Sequence, residues 1–212
     1  MPIYKTLTVN EFTKVYLWKI EESEEELAQN IELTSHCANR MLKMKSEMHR
    51  RGFLSIRHLM AIAGYVDADL YYDENGKPHL KDGSYISITH SNHFTGIIVS
   101  NSKEVGIDIE MQRDKILRIA HKFTPISEYK TIANSDALVR KLTQVWCAKE
   151  SLYKIYSTPG VSFINHIMVD DFRLEDKETT ASIFYEGKAS NYTVAFEEFE
   201  GFTFAYALKE LL

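Results

Sequence analysis

From Val105 to Glu110 the chain alternates strictly, with Val105, Ile107 and Ile109 apolar and Gly106, Asp108 and Glu110 between them. A period of two marks a strand with one face buried, and it puts Asp108 and Glu110 on the same side, about 7 Å apart. Like charges that close repel unless a cation sits between them. About forty residues later, Trp146-Cys147-Ala148-Lys149-Glu150-Ser151-Leu152-Tyr153-Lys154 reads as helix. It adds a third carboxylate, Glu150, with Lys154 one turn further on. Three carboxylates and a lysine are a set suited to a divalent cation that holds a phosphate. Hard oxygen donors without a His/Cys set point to Mg²⁺ or Mn²⁺ and away from zinc.

The 212 residues can bury the core of one large domain or two small ones, and 44% hydrophobic with 26% charged residues is ordinary for a globular protein. A net charge of −5 argues against general nucleic-acid binding. No apolar run is long enough for a membrane span, and the opening Met1-Pro2-Ile3-Tyr4-Lys5 lacks a signal-peptide core. Cys37 and Cys147 fit no metal or redox spacing, so the expectation is a cytoplasmic protein with reduced thiols.

Charge is unevenly spread. Glu21, Glu22, Glu24, Glu25 and Glu26 form an acidic run in which Ser23 and Glu26 are placed as a capping box. Between Arg40 and His58 the sign reverses, and Arg40, Lys43, Lys45, Arg50, Arg51 and Arg57 face only Glu47. Such an island is either a solvated helix face or a pocket for a small polyanion.

The first ~65 residues read mostly as helix after an opening strand at 4–8 or 13–20. Met41, Met44 and Met48 with Leu42 look like a core-facing stripe. Asn75-Gly76 signals a turn, 85–89 a strand, His90 to His93 a turn and 94–99 a returning strand. Thr124-Pro125 reads as the start of a helix with Glu128 in its first turn. Ser135-Asp136 caps a helix running to about Tyr156. The segments 161–170, 179–185, 192–199 and 202–208 alternate as strands, with Glu200-Gly201 at a hairpin turn. The fold class is therefore α+β with antiparallel sheets.

The two acidic segments together resemble the signature of the 4'-phosphopantetheinyl transferases, G-[IV]-D-[IV]-E followed by W-x-x-K-E-[SA]-x-x-K, in the same order and at the same spacing. The resemblance extends upstream. Thr89-His90-Ser91 matches the family's [ST]-H-S after a strand, with Thr89 where serine is commoner. Gly76-Lys77-Pro78 matches a G-K-P loop, and the segment from Arg50 to Leu59 looks like the family's arginine-bearing helix.

This resemblance implies two like α+β halves, 1–103 and 104–212, related by a pseudo-two-fold axis with the coenzyme in the cleft between them, as in the monomeric, surfactin-synthetase-activating type. It makes Asp108, Glu110 and Glu150 the Mg²⁺ ligands and Glu150 the base toward the incoming hydroxyl. Lys154 and His90 then bind phosphate oxygens. Arg57, assisted by Arg50 or Arg51, binds the 3'-phosphate of coenzyme A, and Lys77 and Pro78 lie against the adenine; Thr89 adds a hydroxyl. Roles for Lys43, Lys45, Glu128 and Lys149 stay open.

The implied reaction moves the phosphopantetheine arm of coenzyme A onto a serine of an acyl or peptidyl carrier protein, of fatty-acid, polyketide or non-ribosomal peptide synthesis. A nucleophile supplied by the partner accounts for the lack of a Gly-x-Ser-x-Gly elbow. Docking of the acidic carrier is expected at the basic helix. The competing readings are a non-catalytic coenzyme or carrier binder and a Mg²⁺-dependent phosphohydrolase. The latter lacks a second ligand cluster for a two-metal site.

Overall fold

The computed structural model describes residues 3–125, 132 and 134–210. It is an α+β structure in which every strand pairing is antiparallel, and the chain divides into two compact units, Met1–Ser102 and Lys103–Leu212.

Both segments offered for the opening strand are strands. β1 (Lys5–Asn10) and β2 (Thr13–Lys19) form a hairpin. Three helices follow: α1 (Glu24–Ala28), α2 (Ser35–Leu42) and α3 (Glu47–Ile62). The Ser23–Glu26 capping box that the sequence signals is present, each side chain accepting from the other's backbone amide. A short hairpin, β3 (Leu70–Tyr72) and β4 (Pro78–Leu80), was not visible in the pattern. β5 (Tyr85–Ser91) and β6 (Phe94–Ser100) close a four-stranded sheet in the order β1-β2-β6-β5. β5 runs through His90 and Ser91, two residues beyond the expected end, so the turn shrinks to Asn92-His93, with Asn92 at φ 53°. One face of α3, with Leu54, Ile56, Leu59 and Met60, packs on Tyr16, Trp18, Ile86 and Ile97. Met41 and Met48 join that core, but Leu42 points outward and is 80% exposed.

In the second unit, β7 (Val105–Met111) is followed by the short helix α4 (Lys115–Ile119) and then by α5 (Ser135–Tyr156). The α5 cap is Asn134, one residue earlier than expected, its side chain accepting from the amide of Ala137. Of the helix signalled at Thr124-Pro125, only these two residues are described, and the rest, Glu128 included, lies outside the described residues. β8 (Ile167–Val169), β9 (Glu178–Tyr185), β10 (Lys188–Phe199) and β11 (Phe202–Lys209) complete a five-stranded sheet in the order β7-β11-β10-β9-β8. Glu200 and Gly201, both at positive φ, make the last turn. α5 lays Leu142, Val145, Ala148, Leu152 and Ile155 at helical spacing onto Ala181, Ile183, Val194, Phe196, Ala205 and Ala207. Each large apolar side chain so buried contributes about 1.5–3 kcal/mol.

The expected ten-residue strand at 161–170 is a correction: only Ile167–Val169 is strand. Val161 and Phe163 alternate because they pack against the core, while the backbone amide of Ser162 donates to His166 Nδ1 within a loop. Cys37 and Cys147 are free and buried. Among the described residues no helix is long and apolar enough to cross a membrane.

Candidate active site

β7 meets α5 at one point of backbone contact, and that contact sets the site. A Cβ at Gly106 would lie 2.0 Å from the carbonyl oxygen of Ser151, so only glycine lets the helix come this close. Ser151 fastens the crossing: its single hydroxyl hydrogen is shared between Cys147 O at 2.8 Å and Ala205 O on β11 at 3.0 Å. The pleat then carries Asp108 and Glu110, two and four residues beyond Gly106, to the α5 side, while Ile107 and Ile109 are buried on the other. β11 holds the register, pairing Asp108 with Ala205 and Glu110 with Thr203.

The side chains gathered here are coupled. Lys154 Nζ donates to Asp108 Oδ1 and to the Ile107 carbonyl, both at 2.8 Å, which uses two of its three donors. Asp108 is only 6% exposed, and Glu110 and Glu150 are half-buried. Burial pushes the Glu150 carboxyl up to about 7; Asp108 and Glu110 push the same way and Lys154 opposes them. The fully buried Cys147 thiol is raised by burial and by Asp108 and Glu110, which keeps it protonated.

Among the described residues no three His, Cys, Asp or Glu side chains are already drawn together as a metal-binding group. The donor set itself fits a hard divalent cation. Three carboxylates act on one another across β7 and α5 with a single lysine to offset them, and bringing oxygens onto a cation would relieve that repulsion.

The rest of the helical motif is structural. Lys149, whose role the sequence left open, is buried, with Nζ donating to the carbonyls of Phe123 at 2.5 Å and Phe163 at 2.8 Å. Trp146 lies between the rings of the same two residues, at 5.0 and 5.4 Å, and packs against the core of this unit. Beside Glu110, a groove of about 210 Å³ is lined by Met111, Arg113, Lys115, Ile116, Ile119, Thr143 and Trp146.

The N-terminal unit distributes its candidates unevenly. Arg57 is interior: Nε donates to Asp67 Oδ1 at 2.9 Å, the two terminal nitrogens reach Phe53 O and Cys37 Sγ, and the guanidinium covers the Phe53 ring. A phosphate would have to compete with Asp67 for it. Arg50 is likewise engaged, its Nε–H shared between both carboxylate oxygens of Glu24 at 2.9 Å and Nη1 on the carbonyls of Met44 and Lys45. Arg40 lies over Tyr72 and Phe53. Half of the basic island therefore has internal partners that lie too far along the chain to be seen in the pattern. Lys77 and Pro78 sit where β4 begins; Asp73 accepts from the Lys77 amide and from His79, and Gly76 takes φ 80° in the turn. Thr89 is buried on β5, and His90 is half-buried beside Gly52 of α3.

The reading of the sequence missed Ser151 and Asp67. A lone glycine inside an apolar strand pattern was the available signal for the first, marking a close backbone approach. Nothing local signals the second.

Residues 104–207, from the start of β7 into β11, match the family model described as the 4'-phosphopantetheinyl transferase superfamily. No curated protein matches the chain.

Proposed function

We propose, for a chain whose second half is a 4'-phosphopantetheinyl transferase superfamily domain and which is therefore an enzyme of that class, the following reaction. The phosphopantetheine group of coenzyme A passes to a serine hydroxyl of an apo carrier protein, and adenosine 3',5'-bisphosphate leaves. The observation that supports this most is the Gly106–Ser151 crossing, inside the matched segment, which brings Asp108, Glu110, Glu150 and Lys154 together.

Asp108, Glu110 and Glu150 would hold Mg²⁺, or Mn²⁺ in its place. When bound it would neutralise charge on the diphosphate as the bond to the leaving group breaks. Glu150, directly or through a water, takes the proton from the serine hydroxyl, a role suited to a carboxylate whose surroundings raise its basicity. Lys154 turns its third donor to a phosphate oxygen while the other two keep it against β7. Positioning and electrostatics supply most of the acceleration. From the N-terminal unit, His90 and Thr89 are assigned to phosphate, Lys77 and Pro78 to the adenine end, and Arg57 and Arg50 to support of the coenzyme-binding elements.

The carrier is the second substrate. The groove beside Glu110 offers Arg113 and Lys115 next to Ile116 and Ile119, a mixture that suits an acidic helical partner better than Arg50, which Glu24 already engages. We place the enzyme with the surfactin-synthetase-activating type, acting as a monomer in the cytoplasm. Incubation with coenzyme A and Mg²⁺, with and without an apo carrier, tests the reaction class. Nucleotide release that requires the carrier supports transfer. Equal release without it means hydrolysis and overturns the proposal.

A further inference from the structure

A second imidazole lies against His90. His49, in the first turn of α3, meets it edge to face, with ring centroids 5.9 Å apart and planes at 83°. Gly52, one turn on along the helix, makes room for this: a Cβ there would come within 2.9 Å of His90 Nε2 and 3.0 Å of Cδ2. His90 Nε2 also lies 2.9 Å from the Asn92 carbonyl oxygen. A carbonyl only accepts, so Nε2 carries the hydrogen, and the neutral ring presents Nδ1 as an acceptor. It donates a second hydrogen bond only after Nδ1 takes a proton.

Among the described residues no carboxylate acts on His90. Burial holds His90 below the ordinary histidine range; the Asn92 carbonyl opposes that shift and His49 adds to it. From α3 the neighbours are His49 and the side-chainless Gly52. From the hairpin turn they are the Asn92 carbonyl and His93, which packs on Phe94 with ring centroids 4.7 Å apart. His49 itself is exposed, so the pair is open to solvent. Two imidazoles side by side repel once both are protonated, and a dianion reverses the sign of that interaction. A phosphate group, which near neutral pH mainly accepts hydrogen bonds, supplies what both rings lack.

We infer that His49 is a second phosphate-binding residue of the coenzyme site, acting as a pair with His90. The inference rests on the reading of this chain as a user of coenzyme A. Binding draws a proton onto the pair, so affinity rises as pH falls from 8 toward 6.5, until the phosphate itself is protonated.

Calorimetric titration of the full chain with coenzyme A, in two buffers of different ionisation enthalpy, tests this. Wild type takes up protons on binding. His49→Ala weakens binding about five- to tenfold, the worth of one hydrogen bond to a charged group, and takes up fewer protons, with its melting temperature unchanged. His49→Arg restores affinity while taking up fewer protons than wild type. Combined with His90→Ala, His49→Ala costs less than the two single losses together, as expected of coupled neighbours. Repeating the titration with 3'-dephospho-coenzyme A assigns the contact. A His49→Ala loss that vanishes places it on the 3'-phosphate, and one that persists places it on the diphosphate. His49→Ala binding coenzyme A within twofold of wild type at both pH values overturns the inference and leaves the transferase reading standing. Wild type failing to bind coenzyme A at all overturns that reading as well.

Discussion

Glu150 is held in tension by its neighbours. Burial, Asp108 and Glu110 all disfavour its charge, and only Lys154 offsets them, so its carboxyl is raised to about 7. A carboxyl raised in the folded state above its unfolded value of about 4.3 costs stability once pH exceeds that value, and the cost is complete above the folded value. Glu150→Gln removes the charge while keeping the shape. The metal-free variant is expected to melt no lower than wild type at pH 8, while kcat falls about 10²- to 10⁴-fold, the usual contribution of a positioned base. Melting curves alongside steady-state kinetics check both parts, and a variant that is less stable yet fully active would contradict the assignment. Arg57 shows the opposite situation. Its charge was legible in the sequence as one member of a basic island, but its partner Asp67 lies ten residues away and was not. Burial raises Asp67, yet the Thr34 amide, the Arg57 charge and the hydroxyl of Thr34 outweigh it, and the net shift is downward. A carboxylate depressed in the fold contributes stability that is present above its unfolded value, about 3.9, and lost as pH falls through the folded one. Asp67→Asn strands a buried guanidinium and is expected to cost about 3–5 kcal/mol at pH 7. The gap to wild type should then close as pH drops below about 4, which denaturant titrations across pH would show.

Among the elements, the β7–α5 crossing was the most legible part of the fold. Alternation in β7 and the capped helical segment of α5 each declare their type, and the acids they carry could be paired from those two segments alone. What periodicity cannot show is how closely two elements approach. Gly106→Ala would force its methyl onto the Ser151 carbonyl, with Ile155 next to it. Backbone on one side and a packed core on the other leave little room for relaxation, so a loss of about 1–3 kcal/mol is expected, together with reduced activity because Glu150 and Lys154 ride on the displaced helix. Equilibrium unfolding measures the first, and an Ala variant as stable as wild type would refute the tight crossing. Where the elements were misread, side-chain packing had imitated a strand. Val161 and Phe163 follow a period of two because both touch the core, although the backbone around Ser162 and His166 folds as a loop. The short elements α4, β3 and β4 escaped because three to five residues carry too little pattern to register.

Across the whole molecule, two compact units with antiparallel sheets match the α+β class that the alternation announced. The acids and Lys154 were all named from sequence because the chemistry of that motif is local to two segments. The basic residues of the first unit were harder to sort. A positive charge counts the same in a sequence whether it ends in an internal pair, as at Arg50 and Arg57, or faces outward. As proposed above, the four side chains at the β7–α5 crossing transfer phosphopantetheine with a divalent cation. Intact-protein mass spectrometry of apo carriers from fatty-acid, polyketide and peptide synthesis, incubated with the enzyme, coenzyme A and Mg²⁺, tests it directly. At least one carrier is expected to gain the mass of a single phosphopantetheine, and chelator or Asp108→Ala is expected to abolish the gain. No gain on any carrier while coenzyme A still binds, or a gain indifferent to both chelator and Asp108→Ala, would contradict the proposal.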